Sequence, residues 1–219
     1  NVVLNSSLAR HGAQTSIGSS GALAAMGVVS KSAQFFVMPI MGMVMSAQPI
    51  IGYNYGAHKY DRVKKAFKLA AVASTVYLTA FWAPLEIFPG PIISLFGLVK
   101  KDVVAVAQKA LRIYLLMMPI IGFQMVGSNY FQATGQPAKS AILTLSRQVI
   151  LLIPLILCAP LIAHAMGMSA DKQLIAIVFA APISDLISTC LTTTFVIREL
   201  RKLDRKHEAV EAGENPALA

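Results

Sequence analysis

The sequence predicts an all-α membrane protein, a polytopic bundle of about five spanning helices. Three observations carry this reading. Of the 219 residues, 56% are hydrophobic and only 13% charged, against about 25% charged in a soluble domain. The charge is clustered: residues 32–57 contain no Asp, Glu, Lys or Arg, and Lys59, Arg62, Lys64, Lys65 and Lys68 follow. Mean hydropathy is +0.63, and apolar stretches recur at the length a helix needs to cross a bilayer, about 20 residues. A soluble bundle would show polar stripes at helical spacing, whereas most of these stretches are apolar all round. Helix is preferred to strand because backbone polar groups in lipid must be satisfied within the segment.

The elements follow in order. Residues 1–9 read as the stub of a preceding helix and residues 11–21, HGAQTSIGSSG, as a Gly/Ser loop, so that 1–21 stands apart from the membrane lobe. The lobe, 22–197, holds the spans: 22–51, 69–97, 111–133, 141–166 and 173–197. The second is interrupted by Pro84, Glu86, Pro89 and Pro91. Residues 198–219 form a polar tail, expected to be disordered at its end. The opening NVVLNSSLARHG shows no signal peptide and begins in mid-stretch, which reads as a fragment.

Alternating the five spans puts twelve Lys and Arg on one side, namely the 59–68 cluster, Lys139, Arg147 and the 198–206 run, against seven on the other. The richer side is expected to be cytoplasmic, together with the C-terminus. The net charge of +9 is therefore a matter of topology. Aromatic residues interleaved with basic ones on one face, the mark of nucleic-acid binders, are absent. Cys158 and Cys190 lie in apolar runs and read as small buried residues, and Asn5-Ser6-Ser7 is a chance-level sequon. The four histidines are dispersed and no phosphate loop is present, so neither an enzyme, a metal site nor a cofactor is expected.

Each span carries proline: Pro39 and Pro49, Pro84, Pro119, Pro154 and Pro160, and Pro182. Repeated kinks favour a moving transporter over a static anchor. On the first span Gln34, Met38, Met41, Met45 and Gln48 recur at spacings of four and three and share one face. Such a face either packs against neighbouring helices or lines a cavity that accepts varied apolar partners. Met117, Gln124 and Ser128 repeat the pattern on the third span. Asp185 has twelve uncharged residues on each side. A carboxylate there costs roughly 2.5–3.5 kcal/mol to insert. It reads as a proton- or cation-coupling group, with Ser188, Thr189 and Thr192 on its face, or else as one half of a buried pair with Arg147 or another donor. Glu86, between Pro84 and Pro89, reads as an interfacial carboxylate.

Two stretches are more specific. QPIIGYNYGAHKYDRVKKAF, 48–67, ends a long proline-containing helix with Gln-Pro, a Gly-Tyr-Asn-x-Gly-Ala turn and a basic loop. NYFQATGQPAKSAILTLSRQVILLIPL, 129–155, turns through Gly135 and Pro137 into a helix with Ser-Arg-Gln near its start. Both resemble the multidrug and toxic compound extrusion (MATE) family. Gly52 and Gly56 are read as turn glycines, Gly56 closing the helix in a left-handed conformation, and Gly135 with Pro137 as the stop and restart of helices.

The resemblance covers nearly the whole chain. It implies the second six-helix lobe of a twelve-helix transporter, from the tail of helix seven to helix twelve, in the bacterial inner membrane. It further implies export of organic, often cationic, compounds in exchange for Na+ or H+ by alternating access, with membrane lipid and an N-terminal lobe as partners. Acids that the family places on helix seven would precede Asn1, and 111–133 lacks the acid some members carry on helix ten, so the coupling ion stays open. Asp185, on helix twelve, is outside the usual positions. The alternatives are a lipid-linked sugar flippase, which would want a more cationic cavity than Arg147 alone supplies, and a non-transporting membrane scaffold.

Overall fold

The computed structural model describes residues 2–97 and 100–212. The chain runs through α1 (Val2–Gly12), α2 (Gly18–Gly56), α3 (Tyr60–Ile87), α4 (Pro89–Leu95), α5 (Lys101–Leu115), α6 (Met118–Ala133), α7 (Pro137–Leu145), a π-helical segment (Ser146–Leu152), α8 (Ile153–Ala165) and α9 (Ala170–Glu211). Among the described residues, α2, α3, the continuous 137–165 helix and α9 are each long and apolar enough to cross a membrane. The α5–α6 pair, bent by 45°, makes a fifth when its two helices are taken as one broken span.

Prolines set most of the breaks. Phe88 and Gln136 each precede a proline, and the clash with the proline ring disfavours helix there. They stand at φ −122, ψ 65 and φ −113, ψ 55. The predicted 69–97 span is therefore two helices, α3 and the short α4. Pro119 has no N–H to give the carbonyl of Leu115, and α5 ends at that residue. Pro154 likewise cannot serve the carbonyl of Ile150. The π-helical segment 146–152 precedes it, and an i→i+5 pattern shifts the partner by one residue.

Two sequence expectations are corrected. The Gly/Ser loop at 11–21 shrinks to a turn, since α1 runs to Gly12 and α2 already begins at Gly18, where φ of 68 suits glycine. The polar tail is not a separate segment through its first half, because α9 continues helical to Glu211. Its far end, for which the sequence predicts disorder, lies outside the described residues. The continuation is docked: Asp204 accepts from Lys64 Nζ at 2.6 Å, and His207 Nε2 lies 3.0 Å from Asp61. With Lys139 paired to Glu199 at 3.1 Å, the α2–α3 corner, the α6–α7 corner and the end of α9 meet at one end of the bundle. The basic segments thus gather on one side, as span alternation required.

Within this lobe α6 is a hub, packed against α2, α3, α7 and α9. Small residues let it approach. A Cβ built on Gly122 would lie 2.9 Å from the Ser74 backbone, and one on Gly127 would lie 2.6 Å from Thr192 Cγ2. Close backbone approach gives van der Waals contact where lipid supplies no hydrophobic drive between helices. An edge-to-face aromatic seam continues across the hub, with Phe67 against Tyr130 at 5.4 Å, Tyr130 against Phe131 at 5.4 Å, and Phe131 against Phe195 at 6.3 Å.

Gly122→Ala should therefore destabilise the lobe by about 1–3 kcal/mol, because the neighbour is backbone and cannot yield. Gly42→Ala, with nothing within 4 Å, should be neutral or slightly stabilising. Thermal unfolding of the two variants in detergent compares them directly.

Candidate functional site

The methionine face of α2 is not packed within the lobe. Met38, Met41 and Met45 are 63%, 55% and 71% exposed, and Gln34 is exposed beside them. In a membrane span an exposed face of this kind meets either lipid or a further protein surface. At its far end Gln48 Oε1 accepts from Asn129 Nδ2 of α6 at 3.5 Å, a long bond that ties the face to the hub. Met117 sits half-buried in the α5–α6 bend.

Gln124 departs from the expected cavity face. It is 3% exposed, and its amide donates to Ser188 Oγ of α9. The periodicity that groups it with Met117 holds along one helix, but that face points at α9. The contact belongs to a buried polar stripe on α9: Asp185, Ser188 and Thr192, with Thr192 Oγ1 donating back to the Ser188 carbonyl at 2.9 Å. Gln124 Oε1 and Thr189 Oγ1 are buried without a partner among the described residues.

Asp185 heads that stripe. Arg147 Nε donates to its Oδ1 at 2.6 Å. The side chains differ in access: Asp185 is 5% exposed and Arg147 30%. Arg147 lies in the π-helical segment, one residue after its start, so the ion pair ties the distorted turn to α9. The buried-pair reading of Asp185 thus describes its geometry here. Glu86 sits in the last turn of α3, where Arg112 Nε donates to its backbone carbonyl at 3.0 Å.

The two motif turns are built differently from the sequence reading. Gly56 is helical, and the left-handed residue is His58 at φ 57, with His58 N–H to the Tyr55 carbonyl and Lys59 N–H to the Asn54 carbonyl at 2.9 Å. Those two bonds form a Schellman-type closure. His58 occupies the strained position, with Nδ1 2.9 Å from Tyr60 Oη. Gly52 is not in a turn either; it lies inside α2, where an added Cβ would meet the Ala133 carbonyl at 3.1 Å. Gly135 has φ 75, Gln136 N–H closes on the Phe131 carbonyl at 2.8 Å, and Pro137 is the first residue of α7.

One constellation was missed. Glu199 accepts from Gln136 Nε2 at 2.8 Å and from Lys139 Nζ, whose ammonium also sits 5.5 Å over the Phe131 ring. This clamps the α6–α7 turn to α9. The nearest sequence signal was Glu199 itself, the first acid after the last apolar run, but nothing local named its partners.

Against known proteins, the MatE family model matches residues 14–158, about two thirds of the chain and both motif stretches. The FAD transporter of Shewanella oneidensis is 28% identical over 138 residues, 61% of this chain and 29% of its own length. The multidrug export protein MepA of Staphylococcus haemolyticus is 24% identical over 60% of this chain and 28% of its own. Among solved structures, the MATE multidrug transporter DinF-BH is 34% identical, with a TM-score of 0.68 over 79% of this chain and 36% of that one. The chain thus spans less than half the length of these relatives.

The ion pair makes a prediction of its own. Arg147→Gln leaves the nearly inaccessible Asp185 charge unpaired and should cost about 3–5 kcal/mol. Asp185→Asn should cost less, because Asn still accepts from Nε and the half-exposed guanidinium can find water. Adding Asp185→Asn to Arg147→Gln should recover most of the loss, and a double-mutant cycle on unfolding in detergent measures it.

Proposed function

Because the chain belongs to the MatE family of membrane transporters, we propose that it forms the second lobe of a secondary multidrug exporter. The lobe would expel organic, often cationic, compounds in exchange for Na+ or H+. The observation that carries this reading is the unpacked methionine face of α2, Met38, Met41 and Met45 with Gln34 and Gln48. Flexible, polarizable thioethers contact varied apolar bodies without fixed geometry, and two amides supply hydrogen bonds that do not demand one cargo. The face is where an N-terminal lobe and a central cavity would stand.

The bends supply the movement. A 45° break at Leu116–Met117 and the π segment at 146–152 are places where helices can straighten or re-pair at little cost in hydrogen bonds. We place coupling on Asp185, a mid-span carboxylate. With Arg147 bonded to it, the site is closed; a proton or Na+ arriving at Asp185 would compete with the guanidinium and release the π segment from α9. The expected setting is the bacterial inner membrane, with the basic end and the C-terminus in the cytoplasm.

The flippase alternative gains nothing from the geometry, since Arg147, the cation it would need for a pyrophosphate, is engaged by Asp185. The same argument weighs against an anionic dinucleotide as cargo.

Ethidium efflux from energised cells expressing the intact transporter should collapse when the coupling gradient is removed, by sodium withdrawal or by a protonophore. Asp185→Asn should abolish gradient-driven efflux while protein accumulates in the membrane. Unchanged efflux would remove Asp185 from coupling, and no efflux by the unsubstituted protein would favour the scaffold reading.

A further inference from the structure

A groove of about 440 Å³ runs along α3 on the side facing α6 and α9. Lys64, Lys68, Val72, Thr75 and Val76 line it from α3, spaced three and four residues apart on one helix face, with Phe67 and Ala71 at its floor. Phe123 of α6 and Leu200 of α9 supply the other walls. The lining is divided by polarity. Both charges stand at one end, and beyond Lys68 the α3 wall is apolar except for Thr75.

The charged end is built. Lys64 Nζ is held at 2.6 Å from Asp204 and 3.2 Å from Asp61, which fixes it between α3 and α9. Lys68 is exposed and has no ion pair among the described residues. The Lys64 charge is thereby offset by two carboxylates, and Lys68, one turn or about 6 Å further along the axis, is the ammonium left to meet an anionic group. The mouth opens at the end of the bundle where the basic segments gather. That end is expected to face the cytoplasmic leaflet, which carries the anionic lipids.

The chemistry narrows the occupant. An organic cation would meet the unpaired Lys68 ammonium at the entrance, the Lys64 charge being taken up by Asp61 and Asp204. A small water-soluble anion would have no use for the apolar length behind them. An amphiphile with a negative head and a hydrocarbon body satisfies both halves. We propose that this groove binds an anionic phospholipid, with its phosphate on Lys68, beside the carboxylate-held Lys64, and one acyl chain lying along Phe67, Val72, Val76 and Phe123. The site is separate from the methionine face and does not depend on what is transported.

Native mass spectrometry of the intact transporter, with phosphatidylglycerol or phosphatidylcholine added in detergent, tests this. The unsubstituted protein should retain phosphatidylglycerol in preference to phosphatidylcholine. Lys68→Gln should lower phosphatidylglycerol retention about fivefold, the effect of one basic residue near a membrane surface, and leave phosphatidylcholine unchanged. Val76→Trp, which fills the groove, should reduce retention of both lipids. Arg62→Gln, at the same end but outside the groove, should change neither. The proposal is overturned if Lys68→Gln has no effect or if Arg62→Gln lowers retention as much, since the attraction would then be diffuse. It is equally overturned if Val76→Trp leaves both lipids bound, or if millimolar inorganic phosphate displaces the lipid, which would make Lys68 a free-anion site.

Discussion

A bilayer offers no hydrogen bonds to a peptide group, and the architecture of this lobe follows from that constraint. Each spanning segment must satisfy its own backbone, yet prolines stand in every span and each removes a donor. Pro39, Pro49, Pro84, Pro160 and Pro182 stay inside continuous helix; at the others the chain answers in two ways. At Phe88 and Gln136 the helix stops before the proline and restarts on it, and at Leu116–Met117 it bends. Ahead of Pro154 the helix continues, but by π pairing over Ser146–Leu152. The lobe thus carries its irregularities at defined levels, flanked by regular helix, and these are the levels at which its parts can move against each other.

The same constraint governs the side chains. With no hydrophobic drive between helices in lipid, association rests on close packing and on polar contacts. The hub helix α6 uses both. Gly122 and Gly127 bring it against the backbone of α3 and the Thr192 methyl of α9, and Gln124 bonds Ser188 between them. Asp185 extends this polar stripe to Arg147. The stripe therefore joins the hub, the long helix α9 and the π segment in one connected set of contacts. Paired in this way, Asp185 holds the distorted turn in place, and the pairing is the element that a competing cation would have to disturb.

The spans were legible because hydropathy is summed over some twenty residues and tolerates errors at the ends. Helix ends depend on which neighbours a carbonyl can find, and this is where the reading failed. Pro119 reads as a kink but stands where α5 ends and α6 begins, and Pro89, an interruption of one span in the sequence, starts a separate helix. The charged stretch after Ile197 looked like a tail and proved to be helix. Glu199 finds its partners at the α6–α7 turn, and Asp204 and His207 find theirs in the first turns of α3. The left-handed residue at the end of α2 was assigned to Gly56 on conformational grounds, whereas the closure falls two residues later on His58. Asp185 stood out because an isolated charge in an apolar run is visible without any structure. Its alternative as a partner of Arg147 could be written down, but the 2.6 Å contact between residues 38 apart could not.

The two glutamine-bearing faces show why periodicity alone cannot distinguish a cavity from a helix contact. Gln34, Met38, Met41 and Met45 on α2 and Met117, Gln124 and Ser128 near α6 obey the same spacing. One set is left open and the other has its glutamine buried against α9. The difference is made by what stands opposite. Gln124 faces Ser188, whose hydroxyl accepts its amide, whereas Met38, Met41 and Met45 on the α2 face stay exposed among the described residues. A polar amide left open in the middle of a membrane span is costly unless water or another polar surface reaches it. Lipid suits the methionines but not the Gln34 amide, which has no hydrogen-bond partner among the described residues. A water-accessible cavity, as proposed for this face, would meet that need where lipid would not.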